Sequence, residues 1–407
     1  MRVLLLNDSI GTIAGSNQAC LRIGRRLVAA GHEVHWAGRR EPMTAAARAG
    51  IAGAGVHLVS LPHQVSRGWL QVLAHQAHNP TAVAALKTAA ERLRPDWALV
   101  CNVHNGLSAS AIAALDVLDV PVVFYPFDNW HWCVRKYNHV PGELAPCRAC
   151  VDGPSPRIVA AGCGGRFPMA VAHTLLRAQR WSPGGPLPRV RGWIAASAFH
   201  EEVLSRQGVP AAHMLRLAFP IDVEPAVPAH TGSAFVYFGA TIGCKGTELL
   251  VEALARCAGL ELEMYITDEP SARLRQAIAR ARERNRVTTN GDLRWTTGLK
   301  ERVRAALAVV VPSLWDSVGE QTLLESLALG KAALASDVSV HRDWIEDGRS
   351  GFLARVGDVQ DWARQLARVA GAAEQLDAVG AAAQARMAGL QAGWAERLTH
   401  FASSLAR

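Results

Sequence analysis

Lysine is scarce in this chain: five among 407 residues, at Lys87, Lys136, Lys245, Lys300 and Lys331, so almost all positive charge is arginine. Tyrosine and methionine are few as well, at four and six. No apolar run approaches the roughly 20 residues that a membrane-crossing helix requires, which argues against a span. The opening Met1–Asn7 is too short for a signal peptide and reads as a first buried strand, so a cytoplasmic protein is expected. Charged residues make up only 19% of the chain against 50% apolar, which excludes a disordered polymer and supplies sizeable cores. No basic run interleaved with aromatics and no nucleic-acid module is present, so no nucleic-acid partner is expected. The net charge of +8 instead fits a diphosphate ligand, or peripheral contact with an anionic membrane at its inner face. Generic use of arginine accounts for part of it.

What is present has the rhythm of an α/β protein. The length suits two domains of roughly 150–200 residues each. Val3–Leu6, Glu33–Ala37, Trp97–Cys101 and Val120–Tyr125 read as buried strands. Between them lie helices over Asn17–Ala30 and around Ser108–Leu118, the former with Cys20, Ile23, Leu27 and Val28 at helical spacing. Alternation of this kind predicts a doubly wound parallel sheet. Residues 126–192 break the pattern with four cysteines and many Gly and Pro residues, and read as an insertion with a helix near Ala170–Gln179. Strand and helix resume at Gly192–Ser197 and Ala198, and a Pro-rich linker falls around Phe219–His230. The expected division is a first domain over 1–218 and a second over 219–387. A C-terminal helix at about 388–407 is expected to return to the first.

Residues 311–351 are the most informative. A buried strand (Leu307–Val311) leads through a loop (Pro312–Gly319) into a helix carrying Glu325, followed by a second short strand. A carboxylate on such a helix lies where ligands meet the carboxyl ends of parallel strands. The plainer reading is an ordinary βαβ unit with Glu325 solvated. Upstream, Phe235–Gly239 is an apolar strand whose following loop ends in Lys245-Gly246.

Together these segments resemble the retaining glycosyltransferases of family 4, which have two Rossmann-like domains facing across a cleft, the glycosyltransferase-B fold. The resemblance implies that Gly239, Lys245 and Gly246 belong to the donor site, the lysine neutralising a diphosphate. The arginine that the family places just after that glycine is Ala240 here. Glu325 matches the second glutamate of the family's Glu-x7-Glu pair, which binds the ribose hydroxyls. The first glutamate falls on Ser317, with Asp316 and Glu320 as candidates to replace it. Amides of Gln321, Thr322 and Leu323 at the helix start are further phosphate ligands.

In the first domain, Ile13-Ala14-Gly15-Ser16-Asn17 resembles the family's glycine-containing loop, although Gly15 serves equally as a turn before an Asn17 N-cap. His104 and Asn105 follow a strand, and Asp128-Asn129-Trp130-His131 resembles the family's His-Asp-aromatic-Trp segment. The family's histidine falls on Phe127, so His131 is a candidate to supply the imidazole. The resemblance thus implies His104, Asp128 and His131 on the acceptor side and Lys245 as the group stabilising the leaving diphosphate.

Cys133, Cys147, Cys150 and Cys163 form a Cys-x13-Cys-x2-Cys-x12-Cys array. It is suited to a structural zinc ion, with His131 and His139 as substitute ligands, or to reduced thiols without metal. No organic cofactor is expected. The activity implied is transfer of a sugar from a nucleotide diphosphate sugar, with retention, to a glycan, lipid-linked or small-molecule acceptor. The alternatives are a non-catalytic partner binding nucleotide or glycan on the same scaffold, and an epimerase or hydrolase of similar fold.

Overall fold

The computed structural model describes residues 1–11, 15–62, 68–104, 106–165, 167–224 and 232–405. Ile13, Ala14, Asn105 and the linker residues 225–230 therefore lie outside the described residues. Contacts divide the chain into two units. One comprises Met1–Lys136, Arg148–Pro220 and Gly393–Arg407, and the other Tyr137–Cys147 and Ile221–Ala392.

The first unit is built on seven parallel strands: β1 (Arg2–Ile10), β2 (Glu33–Arg40), β3 (Val56–Ser60), β4 (Trp97–Val100), β5 (Val122–Phe124), β6 (Gly192–Ala195) and β7 (Met214–Arg216), in spatial order β3-β2-β1-β4-β5-β6-β7. The second holds six: β8 (Ala234–Gly239), β9 (Glu261–Ile266), β10 (Arg286–Asn290), β11 (Ala308–Val311), β12 (Ala333–Ser336) and β13 (Phe352–Ala354), ordered β10-β9-β8-β11-β12-β13. Each is a doubly wound parallel sheet. The central strands are apolar without alternation because helices cover both faces. Val3 to Leu6, for instance, are all fully buried.

The strand order reverses between β1 and β4 in one sheet and between β8 and β11 in the other, and the crevice at the carboxyl end of such a switch point is where ligands bind. In the first unit these ends are tied by short polar side chains. Asn7 Oδ1 accepts from Asn102 N at 3.2 Å, Asn102 Oδ1 accepts from Phe127 N at 3.3 Å, and Asp8 Oδ1 accepts from Gly106 N and Leu107 N at 2.9 and 3.0 Å.

Strand β5 begins two residues later than its apolar run. Pro121 has no N–H to give, though its carbonyl still accepts from Ala98 N. The C-terminal region is two helices, Leu376–Gln391 and Trp394–Leu405, broken at Ala392-Gly393. The last belongs to the first unit: Trp394 Nε1 donates to Ala218 O at 2.8 Å and Arg397 Nη2 to Arg216 O at 2.7 Å. Among the described residues no helix is long and apolar enough to cross a membrane.

Candidate functional site

The two switch points carry different chemistry. In the second unit the loop after β8 turns on Gly239 and Gly246, whose φ angles are 135° and 67°. At Gly246 a β-carbon would stand 1.9 Å from Pro312 O, so the loop can approach the end of β11 only with glycine there. Gly246→Ala adds a left-handed strain and a backbone collision, and should cost about 2–4 kcal/mol, read as a fall in the urea midpoint at unchanged slope.

That close approach places Lys245 against the loop after β11. Lys245 Nζ donates to Glu320 Oε1 at 2.5 Å and lies 5.7 Å from the Trp315 ring centre. Glu320, fully buried, is a hub: its other oxygen accepts from Ser313 Oγ at 2.9 Å, and Thr322 Oγ1 donates to Oε1 at 3.2 Å. Burial alone would raise the Glu320 carboxyl, but Lys245, His341 and Ser313 outweigh it and hold it below the ordinary value. Burial likewise works to lower Lys245, and the Glu320 charge overrides it, leaving the ammonium raised. Both shifts favour the ionised pair. His341 is fully buried with Nδ1 on Ser336 O at 2.8 Å, which leaves Nε2 without a partner among the described residues.

The other residues of this loop take separate parts. Asp316 does not join Lys245: its carboxylate accepts from Asn138 Nδ2 and Ser339 N, each at 3.1 Å, and Asn138 Oδ1 accepts from Asp316 N at 3.1 Å. It is a positioning residue for the segment 137–147, while Glu320 is the carboxylate that pairs with Lys245. Ser317 is buried with its hydroxyl unpartnered among the described residues. Leu323 packs fully inside, leaving only its backbone to offer a ligand. Glu325 sits half-buried on the helix Gln321–Ala328, one turn beyond Glu320. Trp295 stacks on Phe238 near the end of β8, at 5.6 Å between ring centres.

In the first unit His104 follows β4 and Asp128 follows β5. His104 Nε2 lies 3.6 Å from Asp128 Oδ2, and the imidazole leans on Trp130 at 5.6 Å. Asp128 Oδ1 accepts from Trp130 N at 3.0 Å. Burial drives Asp128 up to about 7 against the pull of Trp130 N–H, Lys136 and Arg180, with Asp8 adding to the rise. Burial, then Lys136 and Arg180, holds His104 well below its usual range. A neutral imidazole beside a carboxyl that titrates near neutrality can pass or hold one proton. Gly15 begins the helix Gly15–Ala29, and the buried Asn17 behind it is fixed by Asn7, Ser9 and Glu41.

Two sequence expectations are corrected. His131 is enclosed between Phe124 and Trp193 at 6.2 and 5.9 Å, and burial lowers it to about 3 against a hydrogen bond with the Asp128 backbone, so it is a neutral core residue. The four cysteines are free thiols, and among the described residues no three His, Cys, Asp or Glu side chains converge in a way that suits a metal. Arg135 Nε donates to Cys163 Sγ at 3.3 Å, Arg177 feels both Cys133 and Cys150, and Cys147 goes with the second unit. Lys136 and Arg180, which act on both His104 and Asp128, belong to no motif in the sequence. Scarcity of lysine was a signal for the first; arginine is too common here for the second to stand out.

Residues 13–224 match the family model described as Glycosyltransferase Family 4, and residues 232–371 match that described as Glycosyl transferases group 1. A D-inositol 3-phosphate glycosyltransferase of Streptosporangium roseum is 40% identical over 114 residues, covering 25% of this chain and 26% of that protein. The chain thus matches about a quarter of that curated relative's length. Among solved structures, HepE of Anabaena in complex with UDP aligns with a TM-score of 0.63 and 15% identity over 98% of this chain and 100% of its own. Sucrose-phosphate synthase of Thermosynechococcus elongatus aligns at 0.68 with 14% identity, over 99% and 98%. At these identities the structural likeness is one of fold.

Proposed function

The chain belongs to glycosyltransferase family 4, and from that premise we propose that it transfers a sugar from a nucleotide diphosphate sugar, UDP-linked, to a hydroxyl of an acceptor with retention at the anomeric carbon. The observation that carries this reading is the Lys245–Glu320 pair at the β8/β11 switch point, where a diphosphate would meet a pre-positioned ammonium. UDP is favoured because HepE is seen with UDP and with UDP-glucose.

In this mechanism the bond between the anomeric carbon and the β-phosphate oxygen breaks while the acceptor oxygen bonds to the same face of that carbon. The acceptor's proton passes to the departing phosphate. Charge builds on the diphosphate as the bond lengthens, and Lys245 stabilises it more in the transition state than in the ground state. Glu320 keeps the lysine ionised and in place. Glu325 binds the nucleoside ribose. The first unit holds the acceptor, with Asp128 and His104 orienting its hydroxyl. No protein nucleophile is required.

The test is incubation with a panel of UDP-sugars, following UDP release and the anomeric configuration of the product by proton NMR. Retained configuration with stoichiometric UDP supports the proposal. Tight UDP binding with no donor consumed, by hydrolysis or by transfer, would leave a nucleotide-binding partner instead, a reading to which Ala240, Phe127 and Ser317 lend weight.

A further inference from the structure

In the first unit the helix Phe167–Trp181 is turned inside out. Its two arginines, Arg177 and Arg180, face inward and are 2% and 9% exposed, whereas Phe167 and Leu175 stand 68% and 65% exposed. Half-buried Val171 and exposed Ala178 complete the outer stripe, since positions 167, 171, 175 and 178 share one helical face. A surface helix ordinarily presents its charges to water and its apolar stripe to the core.

The inversion has a cause. Arg177 donates to Trp132 O and Cys150 O at 2.7 Å each and to Gln207 Oε1 at 3.3 Å, and Arg180 lies 4.9 Å over the Trp130 ring. Rolling the helix to hide Phe167 and Leu175 would break those contacts, so its rotation is fixed. The helix Trp69–Ala77 packs beside it and adds more exposed apolar surface: Leu70 is 65% and Val72 38% exposed, and Ala74 is exposed one turn beyond Leu70.

Exposed apolar surface that spans neighbouring helices marks a face that another body covers. Charge decides which body. Histidine aside, the two helices contain no ionised side chains but Arg177 and Arg180, both turned inward. The outer stripe therefore offers no cation to an anionic headgroup or an acidic partner, and no acid to a basic one. Helices that lie in a membrane interface instead carry Lys and Arg along their polar side. An uncharged apolar stripe is complemented by another of its kind, and homodimer interfaces are the apolar, charge-depleted class. Two copies at a net charge of +8 repel each other in general, and here they can meet without setting like charges together.

We propose that the helices Trp69–Ala77 and Phe167–Trp181 form the interface of a two-fold homodimer. The same patch serves on both copies, each helix pair laid on its counterpart. The inner side of Phe167–Trp181 supplies His173, Arg177 and Arg180 to a cavity of about 40 Å³ that His104 and Trp130 also line, so association braces one wall of that cavity. The proposal does not depend on the sugar-transfer reading.

The full chain is followed by sedimentation velocity from about 0.1 to 100 μM, and a dimer should form as concentration rises. Phe167→Glu with Leu175→Glu sets like charges across the contact and should weaken association about a hundredfold, while the thermal midpoint stays unchanged because both positions are exposed. Leu175→Met should keep the dimer. Val117→Glu, at another exposed apolar position of the same unit, should leave association unaltered. A chain that stays monomeric over the whole range, or a dimer that the double variant leaves intact, overturns the proposal. Flotation of such a monomer with phosphatidylcholine or phosphatidylglycerol vesicles would then assign the face to a membrane.

Discussion

Lys245→Ala should lower UDP affinity by about tenfold to a hundredfold and abolish transfer, and it should also destabilise the protein. The binding loss is that of one charge-assisted contact to phosphate, worth roughly 1.5–3 kcal/mol. The stability loss comes from the partner left behind. Glu320 is fully buried, and without the ammonium its charge is left to Ser313, Thr322 and the neighbouring His341. Removing one member of a buried pair costs about 3 kcal/mol or more. A further prediction separates the two effects: the double replacement Lys245→Met with Glu320→Gln removes both charges, and should recover most of the urea midpoint while UDP binding stays lost. If the single and double variants are equally unstable, the pair is not what holds this loop.

Asp128→Asn should make the protein more stable and less active, with both effects set by pH. The folded-state carboxyl titrates near 7 against an ordinary value of 3.8. A carboxyl raised in this way favours the folded state fully below about pH 4, and that contribution fades as pH climbs to about 7, beyond which the folded protein carries a buried charge that the unfolded chain does not mind. At about 1.4 kcal/mol per pH unit, the loss across that window reaches about 2–4 kcal/mol. Thermal melts from pH 4 to pH 9 should therefore show the variant gaining on the wild type through this range and holding its lead above it. The groups facing Asp128 are His104, Lys136, Arg180 and Asp8; the His104 shift is downward, so the imidazole stays neutral. Transfer should run the other way, rising through about pH 7 as the carboxylate forms, with the variant slow and flat. A melt in which the two proteins keep a constant separation at every pH would remove Asp128 from this account.

Much of the fold was legible because buried strands announce themselves. Val3–Leu6 of β1, β8 and β11 are apolar runs, and the loop after β8 carries Gly246, which the backbone there requires. Lys245 was legible for a second reason: in a chain so poor in lysine, one placed just after a buried strand stands out. What decided between Asp316 and Glu320 was not legible. Both lie in one loop, and the choice turns on Asn138, 178 residues earlier in the chain, whose amide claims the aspartate. Local spacing sets reach, and distant partners set occupancy. The cysteines show the same limit. Their intervals suit a metal, yet Arg135, inside the same array, donates to the Cys163 thiol, and Arg177 reaches the Cys150 carbonyl, contacts that intervals between cysteines do not show. His131, seven residues beyond β5, packs inward against Phe124 and Trp193, a tertiary contact that its place in the motif does not show.

The segment 137–147 was described as clustering with the second unit although its flanks belong to the first, and the final helix does the reverse. Neither half is therefore a continuous piece of polypeptide. Cutting the chain after Pro220 would produce two fragments that each lack something: the leading one would be without Trp394 to cap Ala218, and the trailing one would expose the Asp316 carboxylate with its amide partner gone. Separate expression of a donor half calls for grafting the eleven-residue loop back, since a single scission yields no intact half.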